Sequence, residues 1–208
     1  MSSAKHVDGG RFHNLKKILS AWVRLNRRYC ISVRPDTPWS YNERALLSIF
    51  AAAAWNAGGV ALEEYSTQKG HGRSEWRGRC DIYCNIKTSD IVGESKMVWL
   101  WLGRAPEKNI DKIQETLDEA CEDAEDLNRH DGKRFGICFA PVYIAEGRSN
   151  EIDERLLALQ EKILSEKFDA LAWCFPPKVR QLPNPNKWRD CTYCYPGLFV
   201  ILRKVKAA

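Results

Sequence analysis

Residues 78–101 read GRCDIYCNIKTSDIVGESKMVWLW and carry three charged side chains, Asp81, Glu94 and Lys96, inside two segments that otherwise have the apolar character of buried strands. Folds seldom enclose a charged group unless it has a partner or a function. Because successive side chains of a strand point to opposite faces, Asp81 points away from the apolar residues beside it, and Glu94 shares a face with Lys96. Each predicted strand therefore has one charged face and one apolar face.

The sequence KTSD at residues 87–90 separates the two segments and predicts an antiparallel hairpin. A connection of two or four residues pairs Asp81 with Glu94 or with Lys96, and in either register the three side chains share one face. Cross-strand neighbours lie about 5 Å apart, so two carboxylates and an ammonium are expected to converge. Carboxylates this close repel each other, and a divalent cation relieves the repulsion. The alternative is an ion pair between Lys96 and one of the two acids.

The segments around this hairpin predict an α/β fold. Helices are predicted at residues 11–29, from 40 up to the glycines at 58 and 59, at 106–128 and at 150–168, and strands at 60–66, 79–86, 91–102, 134–144, 169–175 and 198–206. Ser40 and Glu43 form a predicted capping box at the start of the second helix, and Asn150 is the predicted cap of the fourth. This order predicts a mixed central sheet flanked by helices.

The predicted helix at residues 11–29 is amphipathic and basic. Such a helix can lie on a nucleic acid, on an anionic membrane or on the body of its own domain, and the last is the commonest arrangement. The acidic face of the helix at residues 106–128 is predicted to be solvated surface. Residues 146–208 are predicted to be a C-terminal elaboration of the same domain.

Asp81, the Glu94-Ser95-Lys96 triplet and Glu43 occupy an arrangement that resembles the PD-(D/E)xK phosphodiesterase superfamily, which has the restriction-endonuclease-like fold. That family has an αβββαβ core with an acid on its second strand, an acid and a lysine two residues apart on its third, and often a glutamate from its first core helix. The resemblance covers about residues 40–145. Cys80 stands where the family's proline would precede the aspartate.

This resemblance implies a metal-dependent nuclease that acts on DNA more than on RNA. It also allows the protein to be a homodimer. Asp81, Glu94 and the backbone carbonyl of Ser95 would hold Mg²⁺, with Mn²⁺ as a substitute, and Lys96 would orient or deprotonate the attacking water. Glu43 has two interpretations, a further catalytic residue or only the capping partner of Ser40. The alternative function is a catalytically inactive module of the same fold that binds nucleic acid or protein.

The segment at residues 68–79 combines glycines with Lys69, Arg73, Arg77 and Arg79, a composition that suits contacts with a phosphate backbone. An exposed flexible loop is the competing interpretation. Cys191 and Cys194 have the spacing of half a zinc site, but a second close pair is missing, so a zinc-bearing interaction protein is a weaker hypothesis. The aromatic and basic segment at residues 186–197 is a better candidate for contacting a substrate.

Length and composition favour a single soluble domain. The chain has 208 residues and 44% hydrophobic residues, and it contains no apolar run of the roughly 20 residues that a membrane span needs. We expect a cytoplasmic protein with reduced cysteines and no membrane partner. Lysine and arginine outnumber acids by 16 to 9 in residues 1–104 and by 7 to 1 in residues 171–208, whereas acids lead by 17 to 9 between them. Such a dipolar protein can turn its basic side to a polyanion.

Overall fold

The structure, a computed structural model, describes residues 5–10, 12–33, 36–70, 75–87, 89–127, 132–184 and 190–206. Its helices are α1 (His13–Ser32), α2 (Glu43–Asn56), α3 (Pro106–Glu125) and α4 (Ile152–Ser165). Its strands are β1 (Lys5–Asp8), β2 (Val60–Lys69), β3 (Trp76–Ile86), β4 (Ser89–Met97), β5 (Leu100–Trp101), β6 (Lys133–Ala145), β7 (Ala170–Cys174) and β8 (Tyr193–Lys204).

The strands form one mixed sheet in the order β1-β7-β8-β6-β4-β3-β2, with β5 paired to β6. β6 runs parallel to β4 and β5, and the other pairs are antiparallel. Nearly every residue of β6 is buried, as expected for a central strand that has helices on both faces. The predicted α/β class with a mixed sheet flanked by helices is therefore confirmed.

Two helical layers enclose the sheet. Phe135, Ile137 and Phe139 of β6 pack into the core beneath α1 and α2, whereas Cys138 and Ala140, which alternate with them, pack into the core beneath α3 and α4. The apolar face of α1 is buried in the first of these cores, so the interpretation that this basic helix packs on its own domain is confirmed. None of the described helices has the length and apolar character needed to cross a membrane.

Several predicted boundaries need correction. β1 was not predicted, β8 begins five residues before the expected strand at 198–206, and the expected strand at 91–102 is divided into β4 and β5. The prediction of Asn150 as a helix cap is wrong, because Asn150 lies inside a 3₁₀ helix, Glu146–Glu151, and α4 follows that helix directly. Short edge strands and 3₁₀ turns have weak periodicity, which explains why sequence patterns miss them.

The predicted capping box of Ser40 and Glu43 is also wrong. The N-cap of α2 is Asn42, whose side-chain oxygen accepts a hydrogen bond of 3.0 Å from the amide of Ala45. Ser40 instead ends a short 3₁₀ turn and donates its hydroxyl to the carbonyl of Thr37 at 2.8 Å. Glu43 is thus the first residue of α2, where the helix dipole favours its charge and its carboxylate is not needed for capping.

The predicted β3–β4 hairpin forms with a two-residue connection. Ile86 pairs with Ser89, and Lys87 adopts a positive φ of 58°, the left-handed conformation typical of tight hairpin turns. The paired register then runs from Ile86 back to Ile82, which is opposite Gly93. Continuing this register by one residue places Asp81 level with Glu94, the first of the two registers expected from the sequence.

Replacing Asn42 by alanine should destabilise the protein by about 1 kcal/mol, because the amide of Ala45 loses its capping acceptor. Ser40→Ala is the matched control and should cost clearly less, since Ser40 does not cap α2. Urea unfolding monitored by circular dichroism measures both differences. A cost for Ser40→Ala equal to or above that for Asn42→Ala would contradict the assigned cap.

Candidate active site

The candidate site lies where β3 and β4 separate. Their paired register ends at Ile82 and Gly93, and the carboxylate of Asp81 occupies the opening beyond this pair. Asp81 Oδ2 accepts a hydrogen bond of 2.7 Å from the backbone amide of Ser95 and lies 3.2 Å from the Ser95 hydroxyl. The carboxylate of Asp81 therefore replaces the backbone carbonyl that a paired strand would supply. The amide of Ser95 keeps a hydrogen-bond acceptor although β3 and β4 separate here.

The Ser95 hydroxyl links β4 to the first turn of α2. Its Oγ lies 2.7 Å from Glu43 Oε1, closer than it lies to Asp81. A hydroxyl has one proton to donate, and the shorter contact indicates that Ser95 donates it to Glu43. Asp81 is therefore held mainly by the backbone amide of Ser95. Burial raises the pKa of Glu43, the hydrogen bond from Ser95 opposes this, and the charge of Asp81 raises the pKa further. Glu43 and Asp81 thus form one acidic pair around Ser95.

Glu94 and Lys96 have partners on other elements. Both have the same parity as Val92, which packs against α3, and Lys96 Nζ lies 2.5 Å from Asp123 Oδ2 on that helix. The hydrogen bond to Asp123 raises the pKa of Lys96. Lys96 is therefore a cation at neutral pH. Asp123 was expected to be solvated surface, and its contact with Lys96 corrects that expectation.

Lys69, predicted to contact a phosphate backbone, is the partner of Glu94. Its Nζ lies 2.8 Å from Glu94 Oε1, and the two side chains are 15% and 7% exposed. The stem of Lys69 passes over Gly78, where an added Cβ would lie 2.7 Å from its Cδ. Gly78, expected in a loop that either contacts phosphates or is flexible and exposed, lies instead in β3 and makes room for this ion pair. The predicted phosphate contact of Lys69 would require it to leave Glu94.

Burial dominates the electrostatics of Glu94. It raises the pKa of Glu94 to about 7, with the nearby charges of Asp81 and Asp123 acting in the same direction and the contact with Lys69 opposing them. Glu94 is consequently divided between its neutral and charged forms near neutral pH. A carboxyl with this pKa is a frequent feature of functional sites, although ion-pair networks also produce it.

The predicted single cluster of Asp81, Glu94 and Lys96 on one face is therefore divided. Asp81 meets Glu43 at Ser95, whereas Glu94 and Lys96 meet residues of β2 and α3. The two halves stay close enough to interact, because the charge of Asp81 adds to the effect of burial on the pKa of Glu94. They lie on the two sides of β4 at one level of the sheet.

A local rotation of the strands explains this division. Cys80 packs into the core on the α3 side, although Ile82, two residues later, packs into the core beneath α1 and α2. Regular alternation would place both on one face, so β3 rotates at Asp81. Across from this point on β2, Glu64 has a positive φ of 49°, which non-glycine residues rarely adopt. Period-two alternation could not predict the rotation.

The remaining predicted contacts differ in exposure. Arg79 lies 3.4 Å from Glu64 and its side chain is 64% exposed, and Arg77 is also exposed. Arg73 lies outside the described residues. Cys191 is exposed, whereas Cys194 is buried in the core beneath α3 and α4, so the two cysteines do not face one site.

The site fits a divalent cation in charge and donor type, but its ligands are not already grouped. Glu43, Asp81, Glu94 and Asp123 supply four carboxylates, whereas Lys69 and Lys96 supply two ammonium groups, which pair with Glu94 and Asp123. This leaves an excess of hard oxygen donors, which Mg²⁺ prefers. In the part of the chain that the structure describes, no three histidine, cysteine or acidic side chains are grouped as metal ligands. Binding would therefore require Glu94 to turn from Lys69.

Sequence patterns missed two participants, Lys69 as an internal counterion and Asp123 as the partner of Lys96. Asp123 is one of many acids on α3, so composition did not single it out. Gly78 offered a signal for Lys69, because a glycine inside a strand often marks a close approach of another chain segment.

The raised pKa of Glu94 predicts how stability depends on pH in EDTA. Between its ordinary value of 4.5 and about 7, the folded protein holds a proton that the unfolded chain has released, so this contribution to the free energy of unfolding falls as pH rises through that range. The loss is on the order of 3 kcal/mol. Urea unfolding from pH 4.5 to pH 8 should show this slope for the parent and a flatter one for Glu94→Gln.

Glu107→Gln provides the control, since Glu107 is an exposed acid at the start of α3. It should retain the slope of the parent protein. An identical slope in the parent and in Glu94→Gln would show that Glu94 ionises normally in the fold.

Comparison with known proteins does not assign this chain to a family. A scan against family models and searches of curated proteins and of solved structures found no match. Function is therefore inferred from the placement of this chain's own residues. The strongest feature for that purpose is the meeting of α2 and β3 at Ser95 of β4, with α3 in contact with the neighbouring Lys96.

Proposed function

We propose that this protein is a metal-dependent nuclease that hydrolyses phosphodiester bonds, in DNA in preference to RNA. One observation carries the proposal: Glu43 and Asp81 meet at Ser95 where β3 and β4 separate, and Glu94 and Lys96, which flank Ser95, lie close enough for the charge of Asp81 to raise the pKa of both. The elements follow the order α2-β2-β3-β4-β5-α3-β6, in which β5 is a strand of two residues, and β6 runs parallel to β4. This order supports the expected restriction-endonuclease-like core, in which the same residue types occupy the same elements.

Asp81, Glu94 and the backbone carbonyl of Ser95 would hold Mg²⁺ or Mn²⁺. Contacts between described residues use Oδ2 of Asp81, which leaves its Oδ1 for the ion, whereas Glu94 would have to turn from Lys69 to become a ligand. When bound, the ion would lower the pKa of the attacking water and offset charge on the phosphate. The raised pKa of Glu94 means that this residue must lose its proton before it can act as a ligand.

Lys96 would act as a cation and not as a base. Asp123 raises the pKa of Lys96, so its ammonium remains protonated at neutral pH and cannot accept a proton from water. Lys96 would instead donate a hydrogen bond that orients the water, and its charge would stabilise the negative phosphate in the transition state. Of the two roles expected from the sequence, orientation is the one that the electrostatics support.

Glu43 would act as a positioning residue. It accepts a hydrogen bond from the hydroxyl of Ser95, and the amide of Ser95 in turn donates one to Asp81. Because Asn42 caps α2, the carboxylate of Glu43 is free for this task. Arg77 and Arg79, both exposed on β3, remain the proposed contacts with the phosphate backbone.

A non-catalytic module that binds nucleic acid or protein is the second candidate. It is favoured by the internal pairing of both lysines, Lys69 with Glu94 and Lys96 with Asp123, which balances much of the site's charge without a ligand. This candidate predicts no heat when Mg²⁺ or Mn²⁺ is titrated into the protein. Isothermal calorimetry above pH 7 therefore separates the two functions, since a nuclease with this site should give a saturable signal.

Cleavage assays test the leading proposal directly. With Mg²⁺ or Mn²⁺, the parent should cut at least one of a panel of duplex, single-stranded, branched and RNA substrates, and EDTA should abolish cutting. Lys96→Met and Asp81→Asn should each lower the rate at least about 100-fold, because each removes a group that stabilises the transition state. The controls Lys162→Met and Glu154→Gln, both on α4, should cut like the parent. An undiminished rate in a correctly folded Lys96→Met protein would refute the proposal.

The pairing of Lys96 with Asp123 predicts a change in the pH profile. Asp123→Asn removes the group that contributes most to the raised pKa of Lys96, so Lys96 should lose its proton at a lower pH. Activity near neutral pH should remain, while the alkaline decline in rate should move to lower pH. Asp118→Asn, on the same helix but paired with Arg203, is the matched control. An unchanged alkaline limb in Asp123→Asn would contradict the assigned role of Lys96.

A further inference from the structure

Four aromatic side chains line a cavity of about 290 Å³ beyond the end of β4: Trp99, Tyr143, Tyr193 and Tyr195. The ring centroids of Trp99 and Tyr195 lie 5.3 Å apart, and those of Tyr143 and Tyr193 lie 5.8 Å apart. All four rings are partly exposed, whereas Trp22, Trp39 and Trp173 are enclosed in the core. The cavity is close to the lower limit of ligand pockets, about 300 Å³.

The cavity lies on the same face of the sheet as Ser95. Ser95, Met97 and Trp99 alternate along one extended segment, and its register against β6 is the same before and after Trp99, with Met97 opposite Phe139 and Leu100 opposite Val142. At roughly 3.3 Å per residue, Trp99 lies about 13 Å from Ser95. A stacked strand, which rises about 3.4 Å per nucleotide, spans this distance in about four nucleotides.

The neighbourhood of the cavity suits an anionic ligand that carries a planar ring. Burial raises the pKa of Tyr143, and the positive charge of Arg104 opposes this effect, so Arg104 is close enough to act on the cavity. Aromatic rings alone would also suit an alkylated ammonium ion, but such a cation is disfavoured by this charge.

Trp39 anchors the backbone of one residue that lines the cavity. Its indole Nε1 donates a hydrogen bond of 2.9 Å to the carbonyl of Tyr195, and Trp39 itself is fully buried. The backbone of Tyr195 is thus held by an enclosed core residue, and its ring packs against Trp99, so this part of the aromatic surface is in place before a ligand binds. A prepared aromatic surface loses little conformational entropy when a base stacks on it.

We infer that this aromatic cavity binds an unpaired nucleobase of the nucleic acid whose backbone reaches Asp81. The inference rests on the proposed function and narrows its substrate to nucleic acid with a single-stranded segment. A base inside a duplex has both faces stacked and must leave the helix before it can enter such a cavity. Stacking on aromatic side chains is tolerant of sequence, because every base has an aromatic face.

Equilibrium binding in EDTA tests the inference without requiring cleavage. The probes are a fluorescent single-stranded oligonucleotide and the same sequence closed into a hairpin duplex. Trp99→Leu should weaken binding of the single strand at least about fivefold and leave duplex binding nearly unchanged. Trp99→Phe should retain most of the affinity, since it keeps an aromatic ring. Trp55→Leu, at an exposed tryptophan of α2 that does not line the cavity, should bind like the parent.

A second measurement uses only the parent protein, in case the leucine variant fails to fold. 2-Aminopurine in an unpaired stretch should lose fluorescence on binding, because its base stacks on the rings, whereas 2-aminopurine within the duplex should not respond. Absence of quenching, or equal binding by Trp99→Leu and the parent, would overturn the inference. Quenching of tryptophan emission by trimethyl-lysine but not by the oligonucleotide would assign the cavity to a cation instead.

The outcomes separate this inference from the proposed nuclease activity. Selective loss of single-strand binding in Trp99→Leu, with no cleavage by the parent, would retain the base-binding cavity and reject the enzyme. Metal-dependent cleavage by the parent, with an unchanged preference for single strands in Trp99→Leu, would retain the enzyme and reject the cavity.

Discussion

The hydrogen bond from the amide of Ser95 to the carboxylate of Asp81 is the contact on which the rest of the site depends. Two antiparallel strands can separate inside a protein only if the freed amides find other acceptors, since an unsatisfied buried amide costs about 1–3 kcal/mol. Asp81 supplies that acceptor at the level where β3 leaves β4. The opening then lets the Ser95 hydroxyl reach Glu43, while Glu94 and Lys96 extend toward β2 and α3. The hydrogen bond that gives the backbone amide of Ser95 an acceptor is therefore the same one that assembles the candidate site.

Local patterns predicted the elements around this contact, because alternation and turn chemistry act over a few residues. The hairpin and the even number of residues in its connection were predictable from spacing, and the burial of α1 was the commonest of the three arrangements that its pattern allows. The side on which Asp81 lies was not, since it depends on the rotation at Glu64 and Asp81, where two strands twist together. The cap of α2 was mistaken for a similar reason. Ser40 and Asn42 are both good caps, and the 3₁₀ turn that occupies Ser40 decides between them.

Partners supplied by tertiary packing were beyond the reach of the sequence. Which acid of α3 meets Lys96 depends on how that helix is rotated over β4, and Asp123 differs from its acidic neighbours only in that respect. Trp99 and Tyr143 likewise resembled core residues of predicted strands. Their position at the end of the sheet leaves them partly exposed instead. The residue types of the candidate site were thus predictable, whereas their pairing and the aromatic cavity required the three-dimensional arrangement.

Lys69 and Lys96 balance the charge of two carboxylates in the candidate site without a ligand. Lys69 lies against Glu94, the residue that the proposed ion would need, so ion and lysine compete for one carboxylate. Burial keeps the pKa of Glu94 near 7, which adds a proton as a third competitor. An ion that displaces both the lysine and the proton must be stabilised by the additional carboxylates near Glu94, those of Asp81 and Glu43. Since Lys69 would then be released beside Gly78 of β3, metal binding would free a positive charge next to the candidate site.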